Sequence, residues 1–113
     1  YSVTVKFFEI AEDKNFVASP QTGSRHNRGC AIDLTLIKLR SGKELKMPTS
    51  FDSFAPEASA DFNDLPRKAK ANRELLIKVM ERHGFKVLPN EWWHFDYNNW
   101  KAFDLMDIPF KEL

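Results

Sequence analysis

The sequence predicts an α+β domain in which helices pack on a mostly antiparallel sheet. Three observations carry that prediction. A single long stretch, from about Pro66 to His83, has helical spacing with matching end signals. Several short stretches alternate apolar and polar residues between Pro and Gly punctuation. Finally, no repeat, linker or low-complexity tract interrupts the 113 residues, a length that suits one domain spanning 1–113.

Taken in order, Ser2 can cap a short helix whose Val3, Phe7 and Ile10 or Ala11 would face a core. Glu12 to Arg28 is polar, with Pro20, Gly23 and Gly29 as punctuation, and reads as an ordered loop. Cys30 to Leu39 reads as a strand, with Ile32, Leu34 and Leu36 on one face and Ala31, Asp33, Thr35 and Ile37 on the other. Arg40-Ser41-Gly42-Lys43 is a hairpin turn into a second strand, Glu44 to Met47, stopped by Pro48. Residues 49–64 are irregular, anchored by Phe51, Phe54 and Phe62. In the long helix, Pro66 suits the first position and Gly84 the position past the end, while Ala69, Leu76, Val79 and Met80 form the buried stripe. Phe85 to Leu88 and Trp92 to Tyr97 are two strands joined at Pro89-Asn90.

Composition narrows the function. With 42% hydrophobic and 13% aromatic residues, the chain has the material for a core and is not intrinsically disordered. Seventeen basic against sixteen acidic residues leave a net charge of +1, far from the basic excess of a nucleic-acid module. A lone cysteine excludes an internal disulfide framework and a multi-cysteine zinc knuckle. No apolar run approaches the roughly 20 residues of a membrane span, so a soluble chain is expected. It opens at Tyr1-Ser2-Val3 without an initiator methionine or signal-like segment, as though continuing a longer polypeptide.

Two stretches carry polar groups that an ordinary core would not use: Ser24-Arg25-His26-Asn27-Arg28-Gly29-Cys30-Ala31-Ile32-Asp33 and Glu91-Trp92-Trp93-His94-Phe95-Asp96-Tyr97. Asp33 sits between Ile32 and Leu34, where a buried carboxylate would need a cation. His94 lies among aromatics and needs a partner for each ring nitrogen. One zinc ion held by His26, Asp33 and His94 would answer both needs, since catalytic zinc commonly takes three N/O protein ligands. Glu91 would then stand near the metal as a general base. Residues three apart in a regular strand point to opposite faces, so Glu91 and His94 converge only if Glu91 lies at the strand's mouth or a bulge intervenes. Each residue also has an ordinary reading. His26 can be a solvated histidine, Asp33 can be bonded to backbone, and His94 can be a satisfied core histidine. His83 suits the last helical turn, Cys30 a small buried site, and Trp92 and Trp93 the core. Spacing alone leaves these readings beside the zinc site.

Together, however, SRHNRGCAID and EWWHF resemble the SxHxxGxAxD and ExWH motifs of zinc D-alanyl-D-alanine dipeptidases of the VanX type, within the DD-peptidase and hedgehog-like fold group. The similarity extends through Leu34-Thr35-Leu36, Phe51-Asp52, Asn72-Arg73, Gly84-Phe85 and Asp107-Ile108-Pro109-Phe110. The resemblance implies that His26, Asp33 and His94 bind Zn2+ and that Glu91 is the catalytic base. It also implies that Asp52 receives the substrate's free amino group and that Ser24 lies at its carboxylate end. A family Tyr-Arg-Pro motif, whose arginine stabilises the oxyanion, has no counterpart here beyond Tyr1. The expectation is therefore a C-terminal portion of a longer chain, with that arginine supplied either by the missing N-terminal segment before Tyr1 or by a separate chain.

The implied function is zinc-dependent hydrolysis of D-alanyl-D-alanine or a closely related dipeptide, in cell-wall dipeptide turnover or glycopeptide resistance. The resemblance implies a bacterial protein, cytoplasmic or periplasmic, with the cytoplasm slightly favoured. Two alternatives stand: a DD- or LD-carboxypeptidase on peptidoglycan peptides, which has no use for an amino clamp at Asp52, and a non-catalytic zinc-stabilised binding module, which has no use for Glu91.

Overall fold

The computed structural model describes residues 1–11 and 18–112, without the side chains of Val3, Phe7 and Phe110. The chain forms two compact units, one of residues 1–31 with 99–113 and one of residues 32–98. No helix among the described residues is long and apolar enough to cross a membrane.

The first unit begins with α1 (Ser2–Ile10). Ser2 is a helical residue and not the expected cap, because Asp107 supplies the capping oxygen. Its Oδ1 accepts from the Ser2 amide at 3.1 Å and from the Ser2 hydroxyl at 2.9 Å. The backbone and side-chain hydrogen bonds from Ser2 hold the Asp107 carboxyl below its ordinary pKa. Ile10 is exposed and Ala11 half-buried, so the helix face does not extend to Ile10. The expected orientation of Val3 and Phe7, and the loop over 12–17, lie outside the described residues. Arg25–Arg28 is a 3-10 turn and not loop, because both its ends are capped. Ser24 accepts from the His26 amide at 3.2 Å, and the Gly29 amide donates back to the His26 carbonyl at 3.0 Å. Gly29 has φ +66°, a left-handed geometry that suits glycine. Cys30 is buried, as expected of a small apolar residue.

The second unit holds the core. Its helix α2 (Arg67–Arg82) follows Pro66, which precedes the first helical residue and loses no intrahelical hydrogen bond there. The helix buries Ala69, Arg73 and Leu76, with Ile77 and Met80 partly covered. Val79, expected in that stripe, is exposed; Arg73 fills the stripe instead, one turn after Ala69. The Arg73 guanidinium donates to the carbonyls of Ser59 at 3.2 Å and Phe62 at 2.7 Å. Burial pulls its pKa below the ordinary arginine value. Beyond the helix, His83 Nδ1 bonds to the Val79 carbonyl at 2.8 Å, and Gly84 turns the chain at φ +84°.

The sheet has the order β1-β3-β2, formed by β1 (Ala31–Asp33), β2 (Phe85–Leu88) and β3 (Glu91–Tyr97). Strands β2 and β3 run antiparallel, so the α+β arrangement holds. The strand expected over Cys30 to Leu39 is shorter. Leu34 still donates to the Trp93 carbonyl at 3.0 Å, but Lys38 then bonds to Lys43 and Leu45 to Leu36, both at 2.8 Å. Those backbone groups are satisfied within the predicted hairpin and no longer by β3. The expected second strand, Glu44 to Met47, is reduced to a bridge between Ile37 and Glu44. Leu34 and Leu36 reach the core as predicted, whereas Ile32 is 46% exposed.

Met47, Ala58, Leu76, Trp92, Trp93 and Phe95 form the buried cluster. Phe51 packs on it, its ring 5.8 Å from Trp92 and 6.0 Å from Trp93, and Phe62 is half-buried. Phe54 is 69% exposed and is no core anchor. Leu76 is nearly fully buried, so Leu76→Ala should cost about 2–5 kcal/mol of stability through lost contacts and a residual cavity. Denaturant unfolding of wild type and variant measures this. A loss below 1 kcal/mol would contradict a core centred on Leu76.

Candidate functional site

The site in the second unit grows from an irregularity in β3. Val87 faces Phe95, while its neighbour Leu88 faces Glu91. Trp92, Trp93 and His94 are therefore set against no intervening residue of β2. This break in the period of two lets residues three apart converge. Glu91 Oε2 lies 3.8 Å from His94 Nδ1. Both conditions foreseen for this pair are met, because Glu91 is also the first residue of its strand.

Asp33, at the end of β1, points its Oδ1 to 3.1 Å from the same His94 nitrogen. Its side chain is 37% exposed, so the argument that burial forces a cation on it fails. What ties it to a site is its contact with His94. The histidine itself is buried, and its other nitrogen, Nε2, lies 2.9 Å from Asp96 Oδ1. Asp96 is buried too, and the sequence reading assigned it no role. The signal was present: in the regular part of a strand, 94 and 96 share a face, and His94 required a second partner.

This arrangement sets the charge on His94. Burial alone pushes the imidazole pKa down. Hydrogen bonds to Asp33 and Asp96, with their charges, outweigh it and hold the net value above that of a free histidine. A metal at Nδ1 would have to displace a proton held more tightly than usual, so its affinity would rise with pH.

The second unit also carries Asp52, which is exposed and adopts φ +56° in a turn beside Phe51. Aspartate tolerates this left-handed geometry better than most residues. Its carboxylate is reachable from solvent. In the first unit, His26 is exposed on the 3-10 turn that Ser24 and Gly29 cap. Since the Ser24 hydroxyl accepts from the His26 amide, its own hydrogen can serve another acceptor. Arg28 donates to the Phe103 carbonyl, and Met106 donates to the Asn27 carbonyl at 2.7 Å, fastening the turn from outside. The Arg25 guanidinium lies over the Trp100 ring, 4.5 Å from its centroid.

The donors fit zinc in kind and in spacing. With bonds of about 2.0–2.1 Å in a tetrahedron, two N/O ligand atoms on one zinc lie about 3.3 Å apart. Asp33 Oδ1 and His94 Nδ1 are separated by 3.1 Å.

Comparison with known proteins adds independent information. The Peptidase M15 family model, described as D-ala-D-ala dipeptidase, matches residues 1–110. The chain is 34% identical over 99 residues to a D-alanyl-D-alanine dipeptidase of Escherichia coli (strain K12), a match covering 88% of this chain and 51% of the relative. It is 38% identical over 82 residues to a D-alanyl-D-alanine dipeptidase of Enterococcus faecium, covering 73% of this chain and 39% of the relative. The Streptomyces coelicolor protein of the same name is 37% identical over 83 residues, with 74% and 40% covered. The chain thus spans about half, or less, of the length of these curated relatives.

Proposed function

Because this chain belongs to the D-ala-D-ala dipeptidase family, we propose that it forms the metal-holding part of a zinc peptidase that hydrolyses D-alanyl-D-alanine or a closely related dipeptide, in cell-wall dipeptide turnover or glycopeptide resistance. The observation that carries the reading is the approach of two carboxylates to one nitrogen of the buried His94: Asp33 lies 3.1 Å and Glu91 3.8 Å from Nδ1. His26, Asp33 and His94 each offer one ligand atom, two imidazole nitrogens and one carboxylate oxygen. The single negative charge of that set partly offsets a divalent cation.

When bound, zinc supplies Lewis acidity for the scissile carbonyl and acidifies the attacking water. The rest falls to the chain's own residues. Glu91 accepts the proton of that water and delivers it to the leaving amine. The Asp52 carboxylate receives the ammonium end of the substrate, and the Ser24 hydroxyl donates to its carboxylate end. An anion for one end and a donor for the other would select a zwitterion such as a free dipeptide. The oxyanion role is left unassigned, since no Arg-Pro follows Tyr1 in these 113 residues.

The substrate assignment is tested in the intact protein with D-alanyl-D-alanine and its N-acetyl derivative. Acetylation removes the charge that Asp52 holds, and kcat/KM should fall by at least about 100-fold. Comparable rates on the two compounds would transfer the assignment to a carboxypeptidase acting on longer peptides.

A further inference from the structure

We propose that Asp96 is a positioning residue for the metal: it fixes the hydrogen of the neutral His94 ring on Nε2 and so presents Nδ1 as the ligand nitrogen. The inference rests on the zinc reading given above and concerns a residue that the reading does not use.

The argument begins with the two sides of the ring. A neutral imidazole has one N–H and one lone pair, and the partner of the N–H decides which nitrogen is which. On the Nδ1 side stand Asp33 at 3.1 Å and Glu91 at 3.8 Å, the other members of the proposed centre. On the Nε2 side stands Asp96 Oδ1 at 2.9 Å, an acceptor that can only be met by an N–H when its carboxylate is ionised. The metal therefore faces Nδ1, and the hydrogen belongs on Nε2. Asp96 is as buried as His94 itself, and burying a carboxylate is costly unless its charge is used. Directed at a ligand imidazole, that charge makes the opposite nitrogen a stronger donor and locks the ring's rotation. An outer carboxylate of this kind typically contributes about 10–100-fold to metal affinity.

The test has two readouts, neither of them activity. In the intact wild-type protein loaded with zinc, long-range proton–nitrogen NMR of the histidine rings should show the His94 hydrogen on Nε2. Zinc competition against a chromogenic chelator should show Kd raised by about 10–100-fold in Asp96→Ala. Asp96→Asn keeps the size of the side chain, removes its charge, and should also weaken zinc measurably. It guards against a variant that does not fold. A hydrogen on Nδ1 in the zinc-loaded protein would overturn the inference, as would a Kd within twofold of wild type in folded Asp96→Asn. If wild type bound no zinc, the metal reading would fail first and this inference with it. Zinc binding that ignores Asp96 would leave the metal reading intact and remove only the inference.

Discussion

Glu91→Gln, made in the intact protein, is expected to keep its zinc and lose about 10²- to 10⁴-fold in kcat, the range a positioned general base contributes. The substitution keeps the side chain's length and its carbonyl oxygen while removing the basic site. Zinc content by elemental analysis and kcat on D-alanyl-D-alanine separate the alternatives. A fall in zinc proportional to the fall in kcat would make Glu91 a ligand and remove the base from the mechanism. Unchanged kcat would show that Glu91 is not the base, and absence of turnover in the intact wild type would favour a binding module over an enzyme. The 3.8 Å separation from His94 Nδ1 supports the first outcome, because it exceeds the 3.1 Å of the proposed ligand pair.

The second large effect is on the metal. His26→Ala, Asp33→Ala and His94→Ala should each weaken zinc by more than the roughly 10–100-fold that loss of an outer hydrogen bond costs. His94→Ala should be among the most severe, because it removes the group that Asp33, Glu91 and Asp96 all approach. Equal zinc content in wild type and all three variants would reject the ligand set. The wild-type affinity should also depend on pH with a definite sign. The folded-state pKa of His94 is raised, so its proton competes with zinc up to a higher pH than that of an exposed histidine. Zinc affinity should therefore climb as pH rises through that value and level off above it. An affinity flat across the histidine range would argue against His94 as a ligand.

Much of this site was legible in the residues, but not for every reason first given. An aspartate between Ile32 and Leu34 reads as too costly to bury without a cation. It is partly exposed, and so is Ile32. The structure sets Asp33 beside His94, and the burial argument does not hold. Alternation shows which residues share a face, and only the packing partner shows whether that face is covered. The same limit explains Val79 and Arg73. Helical spacing marks both as possible inward positions, but arginine carries no apolar signal. Its place in the core follows from carbonyls at Ser59 and Phe62, distant in sequence, that require donors. The truncated strand after Asp33 has a related cause. The turn at 40–43 was legible, yet sequence alone could not show that it would compete with β3 for the backbone of 36–38. Asp96 was legible in principle, since it shares a face with His94 in the regular part of the strand and a buried imidazole needs a partner on each nitrogen.

The break in register between Glu91 and Phe95 has a consequence for how this chain can be altered. Most surface connections absorb an inserted or deleted residue with little effect. Here three residues of one strand are spanned by a single step of its neighbour, and that arc brings Glu91 and His94 to the same place. Adding or removing one residue within it would disturb the register that sets Glu91 beside His94, however conservative the side chains remained. The stretch is a gauge of length, open to exchange of letters at Trp92 and Trp93 within the limits of the core, and closed to insertions and deletions.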